Sequence, residues 1–323
     1  MLDESFFGNS SNSTGLNRFD YYLYSQDITY LCINIVLGIL FNLCVPFAIS
    51  VDKKLWISSN FLILNIITVD LMVCCYILPV TLANRILSRN VMGYIGCHVN
   101  SFLTFISMGI NNFIFMIISF DRYLFIFHKL SHTQLFTISN TLILIALVWL
   151  FWIGYGIALS FFKGFGYESD AFVCFILDTN GNIVTLFFLT VFNFLLPISV
   201  STGFYTILLV KLFKTKRNLS IQKEFKRLSD IQRDKNEMRM VVLLIVTVGT
   251  FFLCWAPYTF HGFFYRFGGT LSAPLHRVIY WGTLTNATLN GWLFGVMNSR
   301  FRKSLKQIFQ SKSRKSETLF STN

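Results

Sequence analysis

The chain has 323 residues, 54% of them hydrophobic and 13% charged, with 37 Phe and a mean hydropathy of +0.58. A soluble domain carries about 25% charged residues, so this composition is that of a membrane protein. The net charge of +12 falls between apolar runs rather than on a folded basic surface, which argues against nucleic acid. Of the seven cysteines, Cys74 and Cys75 are adjacent and the others lie far apart, so the spacing of a cysteine metal or redox motif is lacking.

In chain order, residues 1–27 form a polar tail with two glycosylation acceptors, Asn9-Ser10-Ser11 and Asn12-Ser13-Thr14. Charge-free runs follow at 28–51, 90–120, 130–162, 179–210, 240–265 and 278–299, and 55–84 is interrupted only by Asp70. Each exceeds the roughly 20 helical residues that cross a hydrocarbon core, which predicts seven spans over residues 28–298. The first run starts too far in and is too long for a cleaved signal peptide, and no basic segment precedes it. Residues 299–323 open with "MNSRFRKSLKQIF" around their start, an amphipathic pattern that predicts a short helix along the membrane before a cytoplasmic tail.

The basic residues orient these spans. With the N-terminus outside, the inner loops and tail collect 21 of the 27 Lys and Arg, ten of them between Lys211 and Arg239. The positive-inside rule therefore places the N-terminus outside and the C-terminus in the cytoplasm. The two acceptors in the N-terminal tail agree with that orientation.

A charge at bilayer depth costs at least ~2.5–3.5 kcal/mol, so Asp70 is a candidate functional residue. Asn42, Asn65, Asn111, Asn286 and Asn290 also sit in apolar runs and are expected to cluster around it.

Further marks follow in order: Cys97, with Arg122 25 residues later inside Asp121-Arg122-Tyr123; Trp149; Cys174; Pro197 and Tyr205; "CWAPY" at Cys254–Tyr258; and Asn290 in the last run. With Asn42 and Asp70, this series resembles the rhodopsin-like (class A) G-protein-coupled receptors from about residue 28 to 310. The resemblance implies an all-α seven-helix bundle at the plasma membrane, and a receptor that passes an extracellular ligand signal to a heterotrimeric G protein.

Roles follow from the resemblance. Arg122 would be the coupling residue at the inner end of the third span, flanked by Asp121 and Tyr123, with Tyr205 nearby and Glu237 as its partner on the sixth. Glu237 lies 18 residues before Trp255, five turns of helix, so both point from one face. Cys97 and Cys174 would be bridged outside; the other five cysteines read as buried apolar residues. Asp70, Asn42, Asn111, Trp255, Asn286 and Asn290 would form a polar core able to hold sodium. The ligand wall would comprise Thr104, Met108, Asn193, Trp255, Tyr258, Thr259, Tyr280 and Leu284.

Thr104 stands where amine receptors have an acidic counter-ion, so a protonated amine has no partner there. Leu284 stands where opsins have their lysine, and residues 278–299 contain no Lys, so no retinal can be anchored. A neutral or amphipathic small molecule fits this wall; a short peptide entering past Glu168 and Asp170 is the rival. The family usually ends its seventh helix with Asn-Pro-x-x-Tyr, whereas this chain reads Asn290-Gly291-Trp292-Leu293-Phe294, and Ala287 replaces a common hydroxyl or thiol. Those departures leave one alternative to the coupling receptor, a receptor fold that does not couple and acts as a decoy or heteromer partner. A transporter would show matched broken halves, and an intramembrane enzyme would show facing acids or a hydrolase motif; neither pattern occurs.

Overall fold

In a computed structural model, the described residues are 18–161, 164–176, 187, 190–221, 228–298, 301–304 and 306, the side chains of 18–21, 212, 215–221, 228–238 and 266 excepted. Asn9 and Asn12 lie outside them. Seven long helices occur among the described residues: α1 Arg18–Val51, α2 Ser58–Leu87, α3 Gly93–Phe127, α4 Ile138–Phe161, α5 from Val191–Leu195 into Leu196–Ile221, α6 Leu228–Arg266, and α7 Ala273–Gly291 continuing through Trp292–Met297. A hairpin of β1 (Phe165–Glu168) and β2 (Val173–Ile176) joins α4 toward α5, and a short helix, Lys129–Leu135, follows α3.

Six of the helices are long and apolar enough to cross a membrane by length and composition. The other, α7, is less apolar because it carries Thr283, Thr285, Asn286, Thr288 and Asn290. It also starts earlier than its charge-free run, at Ser272-Ala273-Pro274, and takes in Arg277, whose Nε lies 3.2 Å from Asp27 Oδ2. Asp27 also accepts from Arg85 Nε at 2.7 Å, so α1, α2 and α7 meet around one carboxylate. Helix α1 begins ten residues before its apolar run, and this contact secures the turn at Asp27, where that run starts. The basic stretch between the fifth and sixth runs is largely helix, since α5 continues to Ile221 and α6 starts at Leu228.

Helix α3 is the axis of the bundle. Its apolar window is 78% buried, against 22% in α4, which lies at the periphery. Gly109 sets the spacing of the two, because a Cβ there would lie 2.2 Å from the Trp152 ring. Leu150, Leu253 and Phe260 project outward from α4 and α6, as side chains facing lipid should. Cys32 and Cys75 also lie on that outer surface, and Cys44 and Cys254 are partly exposed, so only Cys74 of the five unbridged cysteines is a core residue. Their thiols face the surface that lipid covers, which is apolar without being protein interior.

Proline places irregular turns in α2 and α5. Pro79 and Pro197 offer no N–H and crowd the carbonyl four residues back. Each helix widens to a π-type turn just before its proline, at Val73–Ile77 and Val191–Leu195. Helix α7 widens at Trp292–Met297 without a proline. After it, Phe301 and Ser304 are buried while Arg302, Lys303 and Lys306 are exposed, the two faces of an amphipathic turn.

Candidate functional site

At the inner end of α3, Asp121 is 0% exposed and Arg122 4%. The Arg122 guanidinium meets Asp121 Oδ2 at 2.5 Å, and Ser59 Oγ from α2 donates to the same oxygen at 3.0 Å. His132 Nε2 lies 2.9 Å from the other carboxylate oxygen, bringing in the short helix. The charge of Asp121 is thus divided among three elements. Arg122 Nε has no hydrogen-bond partner among the described residues, and its guanidinium lies over the Phe125 ring at 5.7 Å.

Tyr205 is buried near this site with its hydroxyl unpartnered among the described residues. Tyr123 turns away, stacking on Phe127 and meeting Phe204 of α5. Glu237 lies on α6, but its side chain is outside the described residues. Ser59 and His132 were not legible as site residues: neither carries a sequence signal beyond its polarity, and His132 falls ten positions past Arg122 in what reads as the start of an apolar run.

Halfway along the bundle, Asn111 Nδ2 donates to Asp70 Oδ1 at 2.8 Å. Asp70 Oδ2, Asn111 Oδ1, Asn286 Oδ1 and both polar atoms of Asn290 are buried with no partner within hydrogen-bond geometry among the described residues, although Asn290 lies close enough to Asp70 for its side chain to interact with the carboxylate. Asn42 joins α1 to α7, donating to the Ala287 carbonyl at 3.1 Å and to Gly38 O at 2.8 Å. This approach needs Gly291, because a Cβ there would lie 2.6 Å from the Asn42 amide nitrogen. Asn65 is not part of the cluster: its Oδ1 accepts from Trp149 Nε1 at 2.8 Å, which turns it toward α4. Phe294 is 0% exposed and packs where it presents no hydroxyl to the polar core.

A cavity of about 20 Å³ for water centres, room for about one water, opens above Asp70. Thr104, Met108, Trp255 and Leu284 line it, with Asn111 and Asn286 at its polar end. Asn193, Tyr258, Thr259 and Tyr280 do not. The backbone carbonyl of Asn193 accepts from Asn112 Nδ2 at 2.5 Å while its side-chain amide is buried with no partner among the described residues, and Thr259 Oγ1 donates to Trp255 O of its own helix. Tyr258 and Tyr280 pack instead on Phe175 of the hairpin, with ring centroids 4.9 and 5.3 Å from it.

The hairpin is therefore a lid. Phe175 is 2% exposed and reaches to 6.4 Å from the Trp255 ring. Cys174 of β2 is bonded to Cys97 at the outer end of α3, Trp281 Nε1 donates to Ala171 O at 2.8 Å, and Asn84 Nδ2 donates to Phe172 O at 3.2 Å. The bridge closes a separation of 77 residues, for which chain entropy gives about 4 to 5 kcal/mol. Burial pushes the Tyr167 phenol on β1 up, and the charge of Glu168 adds to the rise.

A family model described as "7 transmembrane receptor (rhodopsin family)" matches residues 41–294. The chain belongs to that family. It is a G-protein-coupled receptor of the rhodopsin class and a multi-pass membrane protein, and the family is one of receptors rather than enzymes. The receptor is 28% identical over 287 residues to melatonin receptor type 1C of Xenopus laevis, covering 87% of this chain and 66% of the frog protein. It is 25% identical over 288 residues to melatonin receptor type 1A of Gallus gallus, covering 88% of this chain and 80% of the other. Its fold matches the crystal structure of squid rhodopsin with a TM-score of 0.77 at 18% identity, covering 94% of this chain and 91% of that one.

Proposed function

We propose that the receptor sits in the plasma membrane with its N-terminus outside, binds a small neutral or amphipathic ligand under the hairpin, and activates a heterotrimeric G protein through Arg122. The observation that carries this reading is the buried Asp121–Arg122 pair at the end of α3 remote from the disulfide. Disulfides persist on the oxidising side of a membrane, so Arg122 belongs to the cytoplasmic side. There it is a cation whose release into the space between α3, α5 and α6 changes what a cytoplasmic partner meets.

The ligand class follows from what faces the cavity. Met108, Phe251, Trp255 and Leu284 supply an apolar wall, and Thr104, Ser107 and Thr283 supply neutral polar groups. The charge of Asp70 lies at the far end with Asn111 bonded to it. A neutral, flat, amphipathic molecule suits this lining better than an ammonium ion, and because the cavity as it stands holds about one water, it would enter only as Phe175 and the hairpin lift away from Trp255. The relatives are named as melatonin receptors, so melatonin is a suitable first probe. No lysine occurs on α7, so retinal has no Schiff-base anchor.

The unpartnered oxygens of Asp70, Asn111, Asn286 and Asn290 fit a hard cation, which takes oxygen ligands. We assign them as the residues that would hold sodium. When bound, sodium would neutralise Asp70 and favour the packed, inactive helices. The Ala287 position supplies no hydroxyl, and the Asn111 amide takes its place.

The experiment is a thermal-shift series on purified receptor with melatonin, neutral indoles and their protonated amine counterparts. The neutral compounds should raise the melting temperature and Met108→Trp, which fills the cavity, should remove that rise. Stabilisation by the amines alone would overturn the ligand assignment.

A further inference from the structure

Four ionisable side chains meet at the outer end of the bundle, apart from both the cavity and the Arg122 site. His276 of α7 directs Nδ1 to Asp170 Oδ2 at 3.2 Å and Nε2 to His261 Nε2 of α6 at 2.9 Å. Glu168, at the end of β1, places a carboxylate oxygen within 4.8 Å of ligand atoms of both Asp170 and His276. Both histidines are buried, whereas the Asp170 side chain is 48% exposed, so the cluster is rooted in protein and open to solvent on one side.

The cluster is rich in donors of electron pairs and poor in positive charge. Among the described residues neither Glu168 nor Asp170 has a lysine or arginine within ion-pair distance. Arg277 follows His276 in sequence, but its Nε lies 3.2 Å from Asp27. The Asp170 amide N–H donates to Glu168 Oε1 at 3.3 Å, which holds the two acidic residues near each other.

We propose that His276, Asp170 and Glu168 bind a zinc ion that fastens the hairpin lid to α7, with His261 orienting the His276 ring. Zinc takes imidazole nitrogen and carboxylate oxygen at about 2.0–2.2 Å, so two ligands on one tetrahedral ion lie about 3.3 Å apart. The His276–Asp170 pair already has that separation. Glu168 is a partly exposed side chain and has to move by roughly 1.5 Å from its present outer limit of 4.8 Å.

The His–His contact gives the site its outer support. With the metal on Nδ1, His276 carries its proton on Nε2 and donates it to His261 Nε2. Such a bond fixes the ring's tautomer and orientation. A nitrogen among the ligands favours zinc over calcium or magnesium, which prefer all-oxygen sites. Because the ligands come from both the hairpin and α7, occupancy holds Phe175 down over Trp255 and slows exchange of whatever lies beneath.

The test uses the purified full chain in lipid nanodiscs, free of added metal, titrated with zinc chloride against a zinc-responsive dye. Wild type should bind one zinc, with magnesium failing to compete. Asp170→Asn and His276→Gln should each weaken zinc at least about tenfold, and His261→Phe by about 10- to 100-fold as the loss of an orienting partner does. Asp170 is half exposed, so Asp170→Asn retains the fold and decides the matter even where a buried-histidine variant fails to express. Absence of zinc binding by wild type overturns the proposal. So does unchanged zinc affinity in Asp170→Asn, which would place the ion on thiols such as Cys32 or Cys75.

Discussion

Asp121→Asn isolates the charge that restrains Arg122. The substitution keeps size and hydrogen bonding: the amide oxygen can still accept from Ser59 Oγ and Arg122, and the amide N–H2 can donate to His132 once that ring presents a lone pair. What is lost is the negative charge at 2.5 Å from the guanidinium. Hydrogen bonds to charged groups contribute about 1.5–3 kcal/mol and neutral ones about 1 kcal/mol. The difference, about 0.5 to 2 kcal/mol, is what held Arg122 against Asp121. Arg122 is long enough to reach the inner surface when released, so the full cost of a stranded buried charge does not apply. If the restrained geometry belongs to the inactive state, the active fraction rises about 2- to 30-fold while it is small. The assay is ligand-independent nucleotide exchange on a purified G protein at matched receptor amounts, with melting temperature measured on the same preparation. Exchange should rise while the melting temperature falls by a few degrees. Wild-type values of both would refute the reasoning, because the network would then contribute nothing to either state.

Breaking the Cys97–Cys174 bridge by Cys174→Ala should remove up to about 4 to 5 kcal/mol of constraint and lower surface expression, checked by cell-surface labelling; undiminished expression with both thiols reactive in the native protein would contradict it. Asp70→Asn should abolish the sodium-dependent rise in melting temperature expected of wild type, and equal shifts in the two would make Asp70 purely structural. Gly291→Ala should destabilise by about 1–3 kcal/mol, read by thermal unfolding, because its Cβ would meet the Asn42 amide at 2.6 Å. Phe175→Ala should speed ligand dissociation without changing the melting temperature by more than the loss of one buried ring explains.

The bundle was legible because six spans announce themselves as uncharged runs and the other is interrupted only by Asp70, and the polar marks inside those runs occur at separations that one fold explains. Helix ends were less so. Helices α1 and α7 extend beyond their uncharged runs, and there Asp27, Arg85 and Arg277 meet across three helices, a contact that no local pattern reveals. Polar partnerships were legible as composition but not as pairing: Asn65 and Asn111 look alike in sequence, yet one serves Trp149 and the other Asp70. The outer wall was only partly legible for a related reason. Tyr258 and Tyr280 point inward as expected, but the hairpin supplies Phe175 to fill the space before them, and a loop residue's reach is set by the strand register Gly166↔Phe175 rather than by helical periodicity. His261 and His276 lie 15 positions apart on two helices, so their meeting is wholly a tertiary fact.

Arg122 is proposed to couple helix movement to a G protein, with Glu237 on α6 as the partner it would leave. The direct measurement is nucleotide exchange on purified heterotrimeric G proteins of each class by the receptor in lipid vesicles, comparing wild type, Glu237→Ala and Arg122→Ala. Loss of a contact worth ~1 kcal/mol should raise exchange about fivefold in Glu237→Ala, and Arg122→Ala should fall to the rate of G protein alone. Equal exchange in all three, at the rate of receptor-free vesicles for every G protein, would contradict the account and leave a receptor fold that does not couple.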